Sequence, residues 1–84
     1  MSMYIEFKLP NGAAGQAAAH YNSKIRLFIA EWAAKHHIHD YKFAIVDKYR
    51  LQCRLAQEQD YTVFALTWNT DKHRMMPQPK IVTV

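Results

Sequence analysis

Apolar and polar residues alternate from the start of the chain, with Met3, Ile5, Phe7 and Leu9 on one side and Tyr4, Glu6 and Lys8 on the other. A period of two with one apolar side predicts a half-buried β-strand. Pro10-Asn11-Gly12 stops it, and Asn11 is placed to cap the next element. From Ala13 to about His37 the period changes. At about 100° per residue, Ala14, Ala18, Tyr21, Phe28, Ile29, Trp32 and His36 all fall within about 60° of Ile25. This predicts one long helix with an apolar stripe. Gln16, His20, Ser23, Ala30 and Ala34 lie on its far side, and Leu27 lies off the core face.

The period of two then returns. Tyr41, Phe43 and Ile45 alternate with Lys42, Ala44 and Val46, and Asp47-Lys48 makes a tight turn. Leu51, Cys53 and Leu55 alternate with Arg50, Gln52 and Arg54, the cleanest strand pattern in the chain. Gln57-Glu58-Gln59-Asp60 reads as a second polar turn. Tyr61 to Trp68 reads as a further strand, rich in β-prone residues, with Phe64, Leu66 and Trp68 facing the helix. Residues from about 69 to 80 are polar and contain Pro77 and Pro79, which predicts a loop or flexible tail. Ile81-Val82-Thr83-Val84 is β-branched and suits a short C-terminal edge strand. The expected fold is α+β in the order β-α-β-β-β, with one long helix on a mostly antiparallel four-stranded sheet and residues 1–84 as a single domain.

Composition sharpens this picture in two places. Cys53 is the only cysteine, so neither an internal disulfide nor a cysteine-rich zinc site staples the fold. A small unstapled domain is expected in a reducing cytoplasm. Met1-Ser2-Met3 does not begin a basic-then-apolar leader, and no apolar stretch approaches the roughly 20 residues that span a bilayer, so the expectation is a soluble protein with no membrane partner. The formal charge is +4, from eleven Lys and Arg against seven Asp and Glu. That balance favours a polyanionic partner.

One helix covers one face of a sheet, and the other face meets water or a partner. By alternation that open face carries Tyr4, Glu6, Lys8, Lys42, Ala44, Val46, Arg50, Gln52, Arg54, Val63, Ala65 and Thr67. Its cations, Lys8, Lys42, Arg50 and Arg54, with Tyr4 among them, suit phosphate contacts and stacking on single-stranded RNA. The face lacks the two or three aromatics of an RRM-type platform. Alternating Arg-Gln-Arg is also how a sheet keeps a solvent face soluble.

Other candidates are weaker. His36, His37, His39 and Asp40 suggest a metal cluster, but the segment ends a helix, where imidazoles interact favourably with the dipole and cap carbonyls. Cys53 sits in an inward row and reads as a small core residue. Gly12-Ala13-Ala14-Gly15 matches no nucleotide fingerprint. No catalytic residue, metal ligand or cofactor is assigned. The expectation is a basic regulatory protein that binds RNA or DNA through Tyr4, Lys8, Lys42, Arg50 and Arg54. The alternative is a protein-binding inhibitor or adaptor of viral or mobile-element type, docking by the sheet or by Met75-Met76-Pro77. A homodimer through an edge strand is compatible with either. The chain also resembles the metal-independent ribonucleases of the RelE/ParE toxin type in size, charge and element order, with Asp71-Lys72-His73-Arg74 as its donor-rich segment. That resemblance implies a third reading, an RNA-cleaving enzyme, at the level of fold alone.

Overall fold

The computed structural model describes residues 2–9, 16–47, 50–68 and 77–84, with the side chains of 16–18 and 47 outside the description. Strand β1 (Met3–Lys8) leads to helix α1 (Gln16–Lys35). Strands β2 (Tyr41–Asp47) and β3 (Arg50–Leu55) come next, then helix α2 (Glu58–Thr67) and strand β4 (Pro79–Thr83). The protein is thus α+β, with two helices and a four-stranded antiparallel sheet in the order β2-β3-β1-β4. This is the split β-α-β connectivity, in which β3 lies between the two strands that α1 connects. The expected β-α-β-β-β order with a single helix is corrected accordingly.

The inner face is set by alternation. Ile5 stands opposite Cys53 and Ile81, Phe7 opposite Leu51, and Phe43 opposite Cys53. These residues form the floor of the core. Ile25, Ile29 and Trp32 of α1 are buried above it, and Tyr21, Phe28 and His36 are half-buried, which matches the expected stripe; Ala33, outside that stripe, is buried too. Leu27 is exposed, as its phase requires. Arg26 lies over the Phe43 ring at 5.0 Å, which puts α1 on the β2 side of this face. Ala14, the Ala18 side chain and the helix start at Ala13 lie outside the described residues, as does the turn residue Lys48.

Helix α1 ends without glycine. The N–H of Ile38 donates to the Ala33 carbonyl at 2.8 Å and that of His37 to the Ala34 carbonyl at 3.3 Å, the paired bonds of a Schellman motif. His37 takes the left-handed position, with φ 59°. Backbone amides, not the expected imidazoles, cap these carbonyls. Ile38 then folds back into the core.

The segment expected as a strand from Tyr61 to Trp68 is the body of α2. Tyr61 and Phe64 are buried and Trp68 half-buried, a spacing of three and then four that puts all three on one helical face. Leu66, expected to face inward, is 81% exposed. The residues read as a turn begin the helix, where Glu58 and Asp60 complement the positive end of its dipole. An aromatic stack decides the matter. Phe64 meets Trp32 edge-on at 5.0 Å and stacks on Trp68 at 4.9 Å, while Trp68 meets Phe7 at 6.1 Å. The Trp32 indole N–H donates to Thr67 Oγ1 at 2.8 Å, tying the two helices together. Once β4 pairs with β1, the helical face of α2 buries these rings better than a further strand could, and tertiary context overrides β propensity.

The deepest polar link is the Tyr61 hydroxyl. It accepts from the Leu55 N–H at 2.9 Å and donates to the Met3 carbonyl at 2.7 Å. The β1–β3 register pairs Ile5 with Cys53, so Met3 and Leu55 would form the next pair. The hydroxyl stands between them and carries the bond that the separating strands no longer make directly.

Tyr61→Phe leaves a buried amide and a carbonyl without this partner and is expected to cost about 1–3 kcal/mol in urea unfolding. A variant as stable as the parent would show that the strand ends close on each other unaided. His37→Gly relieves a left-handed side-chain conformation and should stabilise by about 1 kcal/mol. That corresponds to a rise in melting temperature of roughly 4–8 °C, checked by calorimetry.

Candidate nucleic-acid interface

Both helices lie over the inner rows, so the opposite side of the sheet is open. Register sorts its residues into cross-strand rows. The first contains Lys42 opposite Arg54, and Tyr4 opposite Val82. The same register sum that pairs Ile5 with Cys53 puts Tyr4 level with Arg54, so this row crosses all four strands. The second row holds Ala44, Gln52, Glu6 and Lys80. The third holds Arg50 opposite Lys8 on β1 and, past a register shift in β2, opposite Asp47.

The five residues expected to bind, Tyr4, Lys8, Lys42, Arg50 and Arg54, therefore share one face. Lys8, Lys42, Arg50 and Arg54 are exposed and Tyr4 is half-buried. Val63, Ala65 and Thr67, expected here, belong to α2 and leave the face. Lys80 and Val82 of β4 replace them. The alternation Lys80-Ile81-Val82-Thr83 is a local signal for this, but Pro79 beside it makes Lys80 read as part of the polar tail.

The rows differ in charge. Arg50 Nη1 lies 3.8 Å from Glu6 Oε1, and Lys80 is directly opposite Glu6, so the second and third rows share an acid. The first row contains none. Its Arg54 guanidinium stands over the Tyr4 ring at 5.8 Å, a cation–π contact that sets a planar cation beside an aromatic. At this end the sheet forms a cleft of about 230 Å³ lined by Asp40, Tyr41, Lys42, Arg54, Leu55 and Ala56.

The remaining candidates separate. His36 packs on Trp32 at 5.4 Å, His37 occupies the left-handed cap, and His39 is exposed. Among the described residues no three His, Cys, Asp or Glu side chains converge on one point. Cys53 is fully buried at the centre of the sheet, and desolvation pushes its thiol up from 9.0 to about 12. Gly12, Gly15, Met75, Met76 and the segment Asp71 to Arg74 lie outside the described residues. No described helix is long and apolar enough to cross a membrane. Comparison with protein-family models, curated proteins and solved structures returned no match for this chain.

The Cys53 thiol should resist a thiol-specific reagent at pH 8 in the folded protein and react at once in denaturant. Its folded pKa is raised, so the neutral form is favoured in the fold and stability is lost as pH climbs from 9 towards 12. The slope approaches about 1.4 kcal/mol per unit beyond that of Cys53→Ala. Urea unfolding of both proteins across that window checks it, and parallel pH profiles would refute it.

Proposed function

We propose that the protein is a single-stranded nucleic-acid-binding module that holds RNA across the open face of its sheet. The observation that carries this reading is the placement of like charges. Lys42 lies directly opposite Arg54 in a row with no acid, whereas Lys8 and Arg50, opposite each other on the same face, have Glu6 beside them. Directly opposed like charges destabilise a sheet, by amounts comparable to the roughly 0.2–1 kcal/mol that favourable pairs contribute. A face selected only for solubility gains nothing from such repulsion, whereas a phosphate backbone laid over it removes the strain.

The acid-free row supplies the parts that a single strand requires. Lys42 and Arg54 take phosphates, and Tyr4 beside Arg54 offers a ring for a base. Three interstrand steps of about 4.8 Å give a row roughly 14 Å long. That length suits the two or three bases held by four-stranded RNA-recognition sheets, which also work from their central strands. Here the central strands offer Tyr4 and Arg54 where those sheets carry more aromatics. Lys8 and Arg50 then extend the positive field to a neighbouring stretch of backbone.

Fluorescence anisotropy with mixed-sequence single-stranded RNA at low salt tests the reading. Lys42→Ala/Arg54→Ala should weaken binding at least tenfold. It should also flatten log affinity against log salt by about 1.4, from two lost contacts at about 0.7 each. Lys42→Glu should do more, because it pairs with Arg54 and relieves the repulsion. It should raise stability by about 0.2–1 kcal/mol while abolishing binding. A parent that binds neither RNA nor DNA overturns the proposal. A protein partner retained at high salt in its place would make the face a protein dock.

A further inference from the structure

Beside the acid-free row, at the end of β2 and β3, lies the cleft. The Ala56 N–H donates to the Asp40 carbonyl at 3.2 Å, one bond past the paired residues Tyr41 and Leu55. Asp40 and Ala56 therefore keep the register of Lys42 and Arg54, two residues along each strand, and the same alternation sets both toward the open face. The Ala56 methyl, opposite Asp40, leaves a hollow where a longer side chain would fill the space. The hollow measures about 230 Å³ and is lined by Asp40, Tyr41, Lys42, Arg54, Leu55 and Ala56.

We propose that this cleft receives one guanine base from the strand bound across the face. The inference rests on the nucleic-acid reading and adds base selectivity to it. Guanine is the base that presents two adjacent donors, N1–H and N2–H, beside two adjacent acceptors, O6 and N7. A carboxylate accepts both donors together, and an Arg or Lys donates to O6 and N7. Asp40 supplies the first set, and Arg54, which contacts phosphate on strands without guanine, turns to supply the second at a guanosine, while Lys42 keeps the adjoining phosphate. Uracil carries carbonyl oxygens where guanine carries its amino group, and sets them against the Asp40 carboxylate. The carboxylate in an otherwise cationic corner costs affinity for every phosphate nearby, and reading a base offsets that cost.

The probes are a seven-nucleotide oligouridine strand, the same strand with one central guanosine, and a third with inosine in that position. For the parent protein, guanosine should raise affinity roughly tenfold over uridine, and inosine, which lacks the 2-amino group, should lose most of the gain. Asp40→Asn should bind oligouridine as tightly as the parent or slightly better and lose the guanosine preference. Lys8→Ala should weaken all three strands alike and keep the preference. Parent affinities within twofold for the three strands would overturn the guanine assignment and leave the open-face reading standing, as would a preference that survives Asp40→Asn. No binding of any strand would overturn both.

Discussion

The open face has its particular arrangement of charges because β1 and β3 lie side by side in one register, and the Tyr61 hydroxyl anchors that register at its splayed end. One buried oxygen accepts from Leu55 and donates to Met3, so α2 holds both central strands at once. A slip of one residue would exchange the faces of a strand, putting Arg54 in the core and Cys53 in water. A slip of two would keep the faces but separate Arg54 from Tyr4. The anchor therefore acts on both packing and the site, although it lies on the opposite side of the sheet from the charges it aligns.

The helices contribute to the face by leaving it alone. Trp32, Phe64 and Trp68 pack on one another and on Phe7, and Trp32 bonds Thr67, so α1 and α2 form one layer over the inner rows. Cys53 lies beneath that layer, where desolvation holds its thiol in the neutral form. The stability of the inner side lets the outer side carry opposed cations. The uncompensated pair of Lys42 and Arg54 is a tolerable cost for a core of this kind.

The cations on the face do unequal work because the acids are unequally distributed. Glu6 moderates Arg50 and Lys80, whereas Lys42, Arg54 and Tyr4 share a row with no carboxylate. Asp40 lies in the next row, two residues along β2 from Lys42. An anionic strand laid along this path meets cation, planar cation and aromatic in sequence, and meets an acceptor only in the cleft.

Much of this was legible in the sequence. Alternation in β1, β2 and β3 is a local property, and with apolar residues at every second position only one choice of inner face avoids burying charge. Tyr4, Lys8, Lys42, Arg50 and Arg54 could therefore be assigned to one side from spacing alone, and the phase of α1 came from its 3.6-residue repeat. Tyr61 to Trp68 could not be settled in this way, because its residues satisfy both a strand period and the helical spacing of Tyr61, Phe64 and Trp68. Only the pairing of β4 with β1 and the stacking of Phe64 between two tryptophans select the helix. Strand order was equally hidden, since nothing local says that β3 lies beside β1. That order sets Arg50 opposite Lys8 and Arg54 beside Tyr4, and brings Lys80 and Val82 onto the face. The sequence determined which way the side chains of β1, β3 and α1 point, because that depends on neighbours in the chain. The tertiary structure decided which side chains meet, because that depends on contacts between residues far apart in it.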